Sequence, residues 1–211
     1  ELFDWDAKFP VRDMGNGKVR AAGIAMSMQG SGIFGIDVGS VTVKLNDDGG
    51  YMLLIAVADM GTGCDTILAQ MVAEHMECPV KAVSVFGADI DASPYDSGSY
   101  ASSTTYVTGM AVEKACAQPK ESLCAIAAET LGCDAAELRF EGGCVRHEAT
   151  GRTISLPEIA AKSQCNCRFA AEATAQHSLP VSSPPFMVGM VEIELDRETG
   201  VVEVLDYAVV V

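Results

Sequence analysis

Apolar and polar residues alternate with a period of two in several stretches of the chain, and this pattern predicts β-strands. It is clearest where Val41, Val43 and Leu45 alternate with Ser, Thr and Lys. After a lead-in over residues 1–17, the same reasoning predicts strands at 18–29, 51–58, 80–86, 138–140 and 167–177. Turn residues predict hairpins at 46–50, at 149–151 and, near the C-terminus, at 198–200.

Four segments instead carry apolar residues at helical spacing. The first follows the turn at 61–66 and ends before Pro79. The second starts at about Ser102 and is predicted to stop at Pro119, because proline removes a backbone donor and clashes with the preceding turn. The third covers 120–131 and ends at Gly132, and the fourth begins after Ser155, which is expected to form a capping box with Glu158.

This order of elements predicts an α+β fold in which mixed β-sheets are covered on one side by helices. The chain has 211 residues, 49% of them hydrophobic, which is enough for a substantial core. We expect possible subdomains at 18–135 and 136–211.

The overall charge limits the kinds of partner. A net charge of −15 opposes binding to nucleic acid or to acidic membrane surfaces. The chain has no apolar run of the roughly 18 residues that a membrane span needs, and its start does not resemble a signal peptide. A cytoplasmic location is therefore expected, with most of the eight cysteines as free thiols.

Three short motifs suggest ligand sites but are better explained otherwise. Residues 30–35 match GxGxxG, yet a strand follows where a dinucleotide site needs a helix, so we expect a loop. Cys165 and Cys167 lack a second pair at zinc-binding spacing. Asp89, Asp91 and Asp96 lack the further oxygen ligands of a calcium loop and are expected in a solvated loop or as caps, so no metal site is predicted.

Two segments have the composition of helix N-termini facing an anion. Residues 94–105 (PYDSGSYASSTT) are rich in hydroxyls, which are expected to cap the helix that follows, and residues 59–66 (DMGTGCDT) join a strand to a helix. Free backbone N–H groups at such ends attract phosphate without any lysine. An ordinary capped helix explains each segment alone, but together they predict one site for a multiply anionic ligand.

Both segments lie within longer stretches that match a known family. These are RAAGIAMSMQGSG (20–32), NDDGGYMLLIAVADMGTGCDTILAQMVAEHM (46–76), DSGSYASSTTYVTGMAVEKA (96–115) and FMVGMVEIELDRETGVVEVLDYAVV (186–210). In order and content they resemble the molybdopterin-binding region of the xanthine dehydrogenase and aldehyde oxidase family, the molybdenum hydroxylases. The resemblance implies a two-layer α/β sandwich and makes residues 1–211 a partial molybdopterin-binding domain, a fragment of a larger subunit.

The resemblance also implies the cofactor, which is molybdopterin with molybdenum, expected as the cytosine dinucleotide. It places Gly61, Thr62 and Gly63 near the dithiolene end, although family members often have Gln at the position of Thr62. Residues 29–33 would lie near the substrate channel. The implied cofactor-binding residues are Gly61, Thr62, Gly63, Thr66, Ser99, Tyr100, Ala101, Ser102, Ser103 and Thr104.

The activity implied is hydroxylation of an N-heterocycle or aldehyde carbon using water. The family's glutamate base stands in a GEPP-like motif that does not occur here, and Glu192, Glu194 and Glu203 are expected on the solvent side of the hairpin, so no catalytic residue is predicted. The implied partners are the rest of the molybdenum subunit and iron–sulfur and FAD subunits or domains, with the fragment inactive alone. The alternative is a non-catalytic assembly module of a multisubunit oxidoreductase.

Overall fold

A computed structural model describes residues 3–165 and 171–211. Its elements are α1 (Trp5–Lys8), β1 (Arg12–Gly15), β2 (Lys18–Met28), β3 (Val38–Leu45), β4 (Tyr51–Ile55), α2 (Cys64–His75), β5 (Val83–Gly87), α3 (Thr104–Leu131), β6 (Leu138–Glu141), β7 (Cys144–His147), β8 (Thr153–Ser155), α4 (Leu156–Cys165), β9 (Glu172–Ser178), β10 (Phe186–Asp196) and β11 (Val202–Val210). Short 3₁₀ helices precede β5 at Val80–Ala82 and β6 at Ala135–Glu137. The predicted α+β class is confirmed.

The chain forms two compact units. The terminal unit comprises Glu1–Gly30 and Ser183–Val211, and the central unit comprises Ser31–Ser182. The subdomains expected from the sequence, 18–135 and 136–211, do not coincide with these two units. The difference arises because β2 pairs with β10, from the other end of the chain.

The terminal unit is an antiparallel sheet with the order β1–β2–β10–β11. The predicted strand at 18–29 and the C-terminal hairpin are confirmed. The lead-in expected over residues 1–17 also contains α1 and β1, which sequence pattern alone did not indicate.

Two carboxylates in this sheet correct a sequence-based expectation. Glu192 and Glu194 were expected to face solvent, but they are only 6% and 7% exposed. Glu194 accepts hydrogen bonds from Lys18 Nζ (2.6 Å) and Arg20 Nε (2.7 Å), and Arg12 pairs with Glu192. Ion pairing makes this burial possible, whereas Glu203 is exposed as expected.

The main sheet of the central unit has the order β5–β4–β3–β9, with β4 and β5 parallel and the other pairs antiparallel. One face, which includes Val41, Val43 and Leu53, is fully buried in a core shared with α2 and α3. On the other face the hydroxyls of Thr42 and Thr174 meet at 2.7 Å and are exposed. The prediction of a sheet covered by helices on one side is confirmed. β4 ends at Ile55 and not at Ala58.

α3 corrects the predicted break at Pro119. The helix runs unbroken for 28 residues, so the predicted third helix at 120–131 is its second half. Pro119 costs one hydrogen bond, but Cys116 before it and Leu123 after it are both buried in the core, which holds the two halves in line. The predicted stop is confirmed: Gly132 has φ 67° and donates its N–H to the carbonyl of Ala128 at 2.8 Å.

A second, small sheet, β6–β7–β8, and α4 complete the central unit. The hairpin at 149–151 is confirmed by the N–H of Gly151, which bonds to the carbonyl of His147 at 2.9 Å. At the start of α4, Glu158 accepts from both the N–H (2.9 Å) and the hydroxyl (2.6 Å) of Ser155, so this half of the predicted capping box is formed. In residues 3–165 and 171–211, no helix has both the length and the apolar character to cross a bilayer.

Candidate functional site

One cavity of about 400 Å³ in the central unit lies between the starts of α2 and α3. Its lining residues are Thr62, Cys64, Ile67, Ser99, Tyr100, Ala101, Ser102, Ser103, Thr104 and Thr105. The two segments that the sequence singled out therefore share one hollow, although about 40 residues separate them along the chain.

Seven of the ten predicted site residues line this cavity: Thr62 and the six residues 99–104. Gly61, Gly63 and Thr66 do not line it; Gly63 is the N-cap of α2 and stands between two residues that do. Cys64, Ile67 and Thr105 line it without having been predicted. Thr105 belongs to the hydroxyl-rich stretch at 94–105, and Ile67 lies one helical turn after Gly63. The sequence therefore contained enough information to predict both as lining residues.

The N-cap residue of α3 provides no side-chain cap. The N-cap residue, Ser103, is only 4% exposed, and its hydroxyl makes no capping hydrogen bond. The expectation that hydroxyls cap this helix is wrong at the N-cap, because Ser103 has a helical backbone (φ −86°, ψ −36°) in place of the extended one that capping requires. The N–H groups of the first turn lack this capping acceptor and stand at the cavity.

The chain reaches α3 through a strained backbone. Ala101 and Ser102 both have left-handed conformations, with φ of 49° and 57°. Such conformations are unfavourable for residues with a Cβ and cluster at functional sites. The carbonyl of Ala101 accepts the N–H of Gly32 at 2.7 Å, and the N–H of Ser103 bonds to the carbonyl of Tyr100 at 3.0 Å. These contacts hold the strained pair in place.

Side chains also fix the approach to α3. Asp96 accepts the N–H of Gly98 (2.8 Å) and the hydroxyl of Thr108 (3.1 Å). The hydroxyl of Ser99 donates to the carbonyl of Ala58 at 2.9 Å, which ties this approach to the segment that follows β4. The pKa of Tyr100 is raised, mainly because its hydroxyl lies beside the carboxylate of Asp37.

The start of α2 differs from the prediction of free donors. Asp59 Oδ1 accepts the N–H groups of Gly61 (2.9 Å) and Gly63 (3.0 Å). These bonds, the one from Gly61 first, lower the pKa of Asp59. The chain's own carboxylate therefore occupies donors that the sequence assigned to a ligand. The uncapped start of α3 is left as the more favourable end for an anion.

The other motifs have structural explanations. Residues 30–37 form turns and no helix, as expected, with the N–H of Ile33 bonded to Asp37 Oδ2 at 2.7 Å; a dinucleotide site there is excluded. Asp89 caps its own loop by accepting the N–H of Asp91 at 2.9 Å, and Asp96 caps the approach to α3. Cys167, and with it the Cys165–Cys167 pair and the part of the predicted strand at 167–170, lies outside the described residues.

Two groups in the described parts of the chain bring three possible metal ligands within 4.8 Å: Cys133, Glu137 and His147; and Asp59, Cys64 and Asp65. In the first, His147 Nδ1 accepts the N–H groups of Ala149 (3.2 Å) and Thr150 (3.4 Å), so a neutral ring carries its proton on Nε2 and has no lone pair left for a metal. In the second, burial raises the pKa of the Cys64 thiol, and Asp59 is already engaged. Neither group is prepared for a metal ion.

The cavity fits the phosphate portion of a cofactor. Its lining combines hydroxyls with backbone N–H groups, and no Lys, Arg or His stands among the lining residues. A helix N-terminus carries roughly +0.5 charge and binds phosphate through such groups. The volume falls within the range of about 300–1,000 Å³ that is usual for small-molecule and cofactor sites.

Comparison with known proteins agrees with this fit. The family model for the molybdopterin cofactor-binding domain matches residues 1–211. The probable hypoxanthine oxidase XdhD of Escherichia coli is 30% identical over 202 residues, which are 95% of this chain and 21% of that protein. The 6-hydroxypseudooxynicotine dehydrogenase complex subunit gamma of Paenarthrobacter nicotinovorans is 32% identical over 190 residues, or 84% of this chain and 23% of that one. The chain thus spans less than a quarter of either relative.

The fold has a close match among solved structures. The crystal structure of a Cu,Mo-CO dehydrogenase superposes with a TM-score of 0.82 and covers 92% of this chain and 26% of that one. The two are 20% identical, so this match bears on the fold alone.

Proposed function

Because this chain belongs to the molybdopterin cofactor-binding domain family, we propose that its cavity between α2 and α3 holds the phosphate end of molybdopterin. The observation that carries the proposal is the uncapped N-terminus of α3, which opens on the same hollow as Thr62 and Cys64. Hydroxyls and N–H groups there replace the lysines that an anion would otherwise need.

Each part of the cavity has its own task in this proposal. The N–H groups at the start of α3 and the hydroxyls of Ser102, Ser103, Thr104 and Thr105 donate to phosphate oxygens. Gly32 and Asp96 hold the approach to α3, so these donors are oriented before the ligand arrives. Thr62 contacts the ligand from the side of α2, and Gly61, Gly63 and Thr66 keep that turn and its helix in place. When bound, the molybdenum cofactor supplies the redox chemistry.

We propose further that the chain acts within a larger molybdenum hydroxylase that hydroxylates an N-heterocycle or aldehyde carbon with water. The support is the names of the relatives, a probable hypoxanthine oxidase and a subunit of a 6-hydroxypseudooxynicotine dehydrogenase complex, of which this chain spans 21% and 23%. Iron–sulfur and FAD subunits, the cytosine dinucleotide form and a cytoplasmic location belong to the same proposal. Glu192 and Glu194 are held by ion pairs, so neither is assigned as the base.

The decisive experiment adds charge to the cavity without harming the helix. Thr105→Glu in the complete enzyme places a carboxylate in the first turn of α3, where it favours the helix dipole but repels a phosphate. We expect molybdenum and pterin content to fall at least about tenfold, which corresponds to ~1.4 kcal/mol of lost binding, with the melting temperature maintained. The extracted cofactor of the unchanged enzyme should release CMP on hydrolysis.

The matched control is Ala125→Glu, which adds the same charge to an exposed position of the same helix, about 30 Å further along. It should leave cofactor content unchanged. Full molybdenum and pterin content in Thr105→Glu would contradict the proposal and favour the assembly module.

A further inference from the structure

The sheet of the terminal unit has two faces of different character. One, the paired face, contains the even-numbered positions of β2 and β10 and carries the ion pairs of Glu192 and Glu194 with Arg12, Lys18 and Arg20. The other, the charge-free face, contains positions 19, 21, 23, 25 and 27 of β2 and 187, 189, 191, 193 and 195 of β10. On β11 the face continues through Val202 and Val204 and, beyond the bulge, through Tyr207 and Val209.

On β2, β10 and β11 no described position of the charge-free face is charged, in a chain that carries −15 overall. The face ends at the edge strand β1, where Asp13 stands opposite Val19. The β11 part of the face is open: Val202 is 53% exposed, Val204 61% and Tyr207 60%. On β10, Val191, Ile193 and Leu195 are half-buried. Three strands spaced about 4.8 Å apart, with about nine residues each, give a face of roughly 400 Å². The largest apolar patch of a typical monomer has about this extent, roughly 300–600 Å², and is often functional.

We propose that the charge-free face is covered by another part of the same polypeptide, outside residues 1–211. Depletion of charge marks the core of an interface, and obligate interfaces are the more hydrophobic class. The relatives provide chain for such a layer, since this sequence spans only 21% and 23% of their length. A tethered segment meets the face at millimolar effective concentration, which a free partner seldom reaches.

A second copy of this chain is the less favourable occupant. Each copy would bring a net charge of −15 to the contact, and the charge-free face offers no positive group to offset the repulsion. The proposal concerns the terminal unit and does not rest on the cofactor assigned to the central unit.

Photo-cross-linking of the polypeptide as its gene encodes it tests the proposal. Tyr207 is replaced by p-benzoylphenylalanine, a similarly shaped aromatic residue, and the cross-linked peptides are identified by mass spectrometry. We expect cross-links within one polypeptide, at monomer mass, to peptides outside residues 1–211. Cross-links only between two copies, only to another subunit, or to no peptide outside this segment would each overturn it.

Val201 provides the matched control. It is 63% exposed, like Tyr207, but it precedes β11 in the turn and lies off the charge-free face. The same photo-reactive residue there should give at most one tenth of the cross-linked product. Equal yields of cross-linked product from both positions would show that the contact is not specific to the charge-free face.

A pair of charge substitutions gives a second measurement. Val204→Asp should lower the melting temperature of the encoded polypeptide more than Val201→Asp does, because only the carboxylate at 204 would be buried without a partner. Equal shifts would contradict the proposal. If Val204→Asp does not fold while Val201→Asp does, the result agrees with burial at 204, and the cross-linking identifies the occupant.

Discussion

At the scale of single residues, the site depends on a backbone contact that precedes any ligand. Gly32 donates its N–H to the carbonyl of Ala101, the first of the two left-handed residues before α3. Gly32 itself has φ 78°, and a Cβ there would lie 2.6 Å from Leu179 Cδ2 and 3.0 Å from Asp37 Oδ2. Both neighbours are buried, so they have little room to move. Glycine is therefore required here for both conformation and space.

We predict that Gly32→Ala destabilises the central unit by about 1–3 kcal/mol more than Gly35→Ala does. Gly35 has nearly the same φ, 76°, but a Cβ at that position would have no atom within 4 Å. Gly35→Ala therefore costs only the roughly 1–2 kcal/mol of placing a residue with a Cβ in the left-handed conformation. Urea unfolding followed by circular dichroism at 222 nm measures both, since α2, α3 and α4 lie in the central unit. Equal losses would show that the contacts with Leu179 and Asp37 relax freely.

At the scale of elements, α3 shows how tertiary packing overrides a local signal. Pro119 is buried within the helix, between a first half that begins at the cavity and a second half that packs beneath the small sheet. An interior proline costs roughly 3 kcal/mol relative to alanine. The helix persists because its apolar residues on both sides of Pro119 enter one core.

Pro119→Ala should therefore raise the free energy of unfolding by about 1–2 kcal/mol, because the restored N–H bond and helix propensity outweigh the lost burial of the ring. The same unfolding measurement checks this. Gln118→Ala, at the exposed neighbouring position, should change stability by no more than about 0.5 kcal/mol. A less stable Pro119→Ala would mean that the ring fills space that no rearrangement can close.

The same helix separates what the sequence could reveal from what it could not. Local signals located the start near Thr104, the stop at Gly132 and the hydroxyl-rich approach. The helix continues through Pro119 because Cys116 and Leu123 pack against residues from distant strands. The local sequence pattern does not contain this information. Likewise the occupation of the α2 donors by Asp59 is a matter of loop geometry, which composition does not determine.

At the scale of the whole molecule, charge pairing joins the two ends of the chain. Glu194 in β10 meets Lys18 and Arg20 in β2, and these bonds lower the pKa of Glu194, with the bond from Lys18 the largest cause. The same pair raises the pKa of Lys18. Alternation along the hairpin suggested a solvent-side glutamate, because the partners that permit burial lie 174 and 176 residues earlier.

These shifts predict a dependence on pH. A carboxyl with a lowered pKa in the folded state stabilises the fold above its unfolded value, near 4.5, and this contribution is lost as pH falls through the lower folded value. Glu194→Gln should therefore lower the urea midpoint at pH 7, and the difference from the unchanged protein should shrink below about pH 4.5. Trp5, the single tryptophan, lies in the terminal unit and reports its unfolding by fluorescence.

Glu203→Gln is the control for this measurement, since Glu203 stands opposite Glu194 in the sheet but is exposed. It should leave the midpoint nearly unchanged at either pH. A difference for Glu194→Gln that persists undiminished in acid would assign the effect to packing and not to charge.

The pairing of β2 with β10 has a consequence for biosynthesis. During translation at about 5–20 residues per second, β2 is made roughly 10–30 s before its neighbour Phe186. The central unit is complete first and can collapse while the backbone N–H and C=O groups that β2 will bond to β10 are still unpaired. Nascent chains should therefore engage holding chaperones through this segment, and release should follow emergence of the last thirty or so residues.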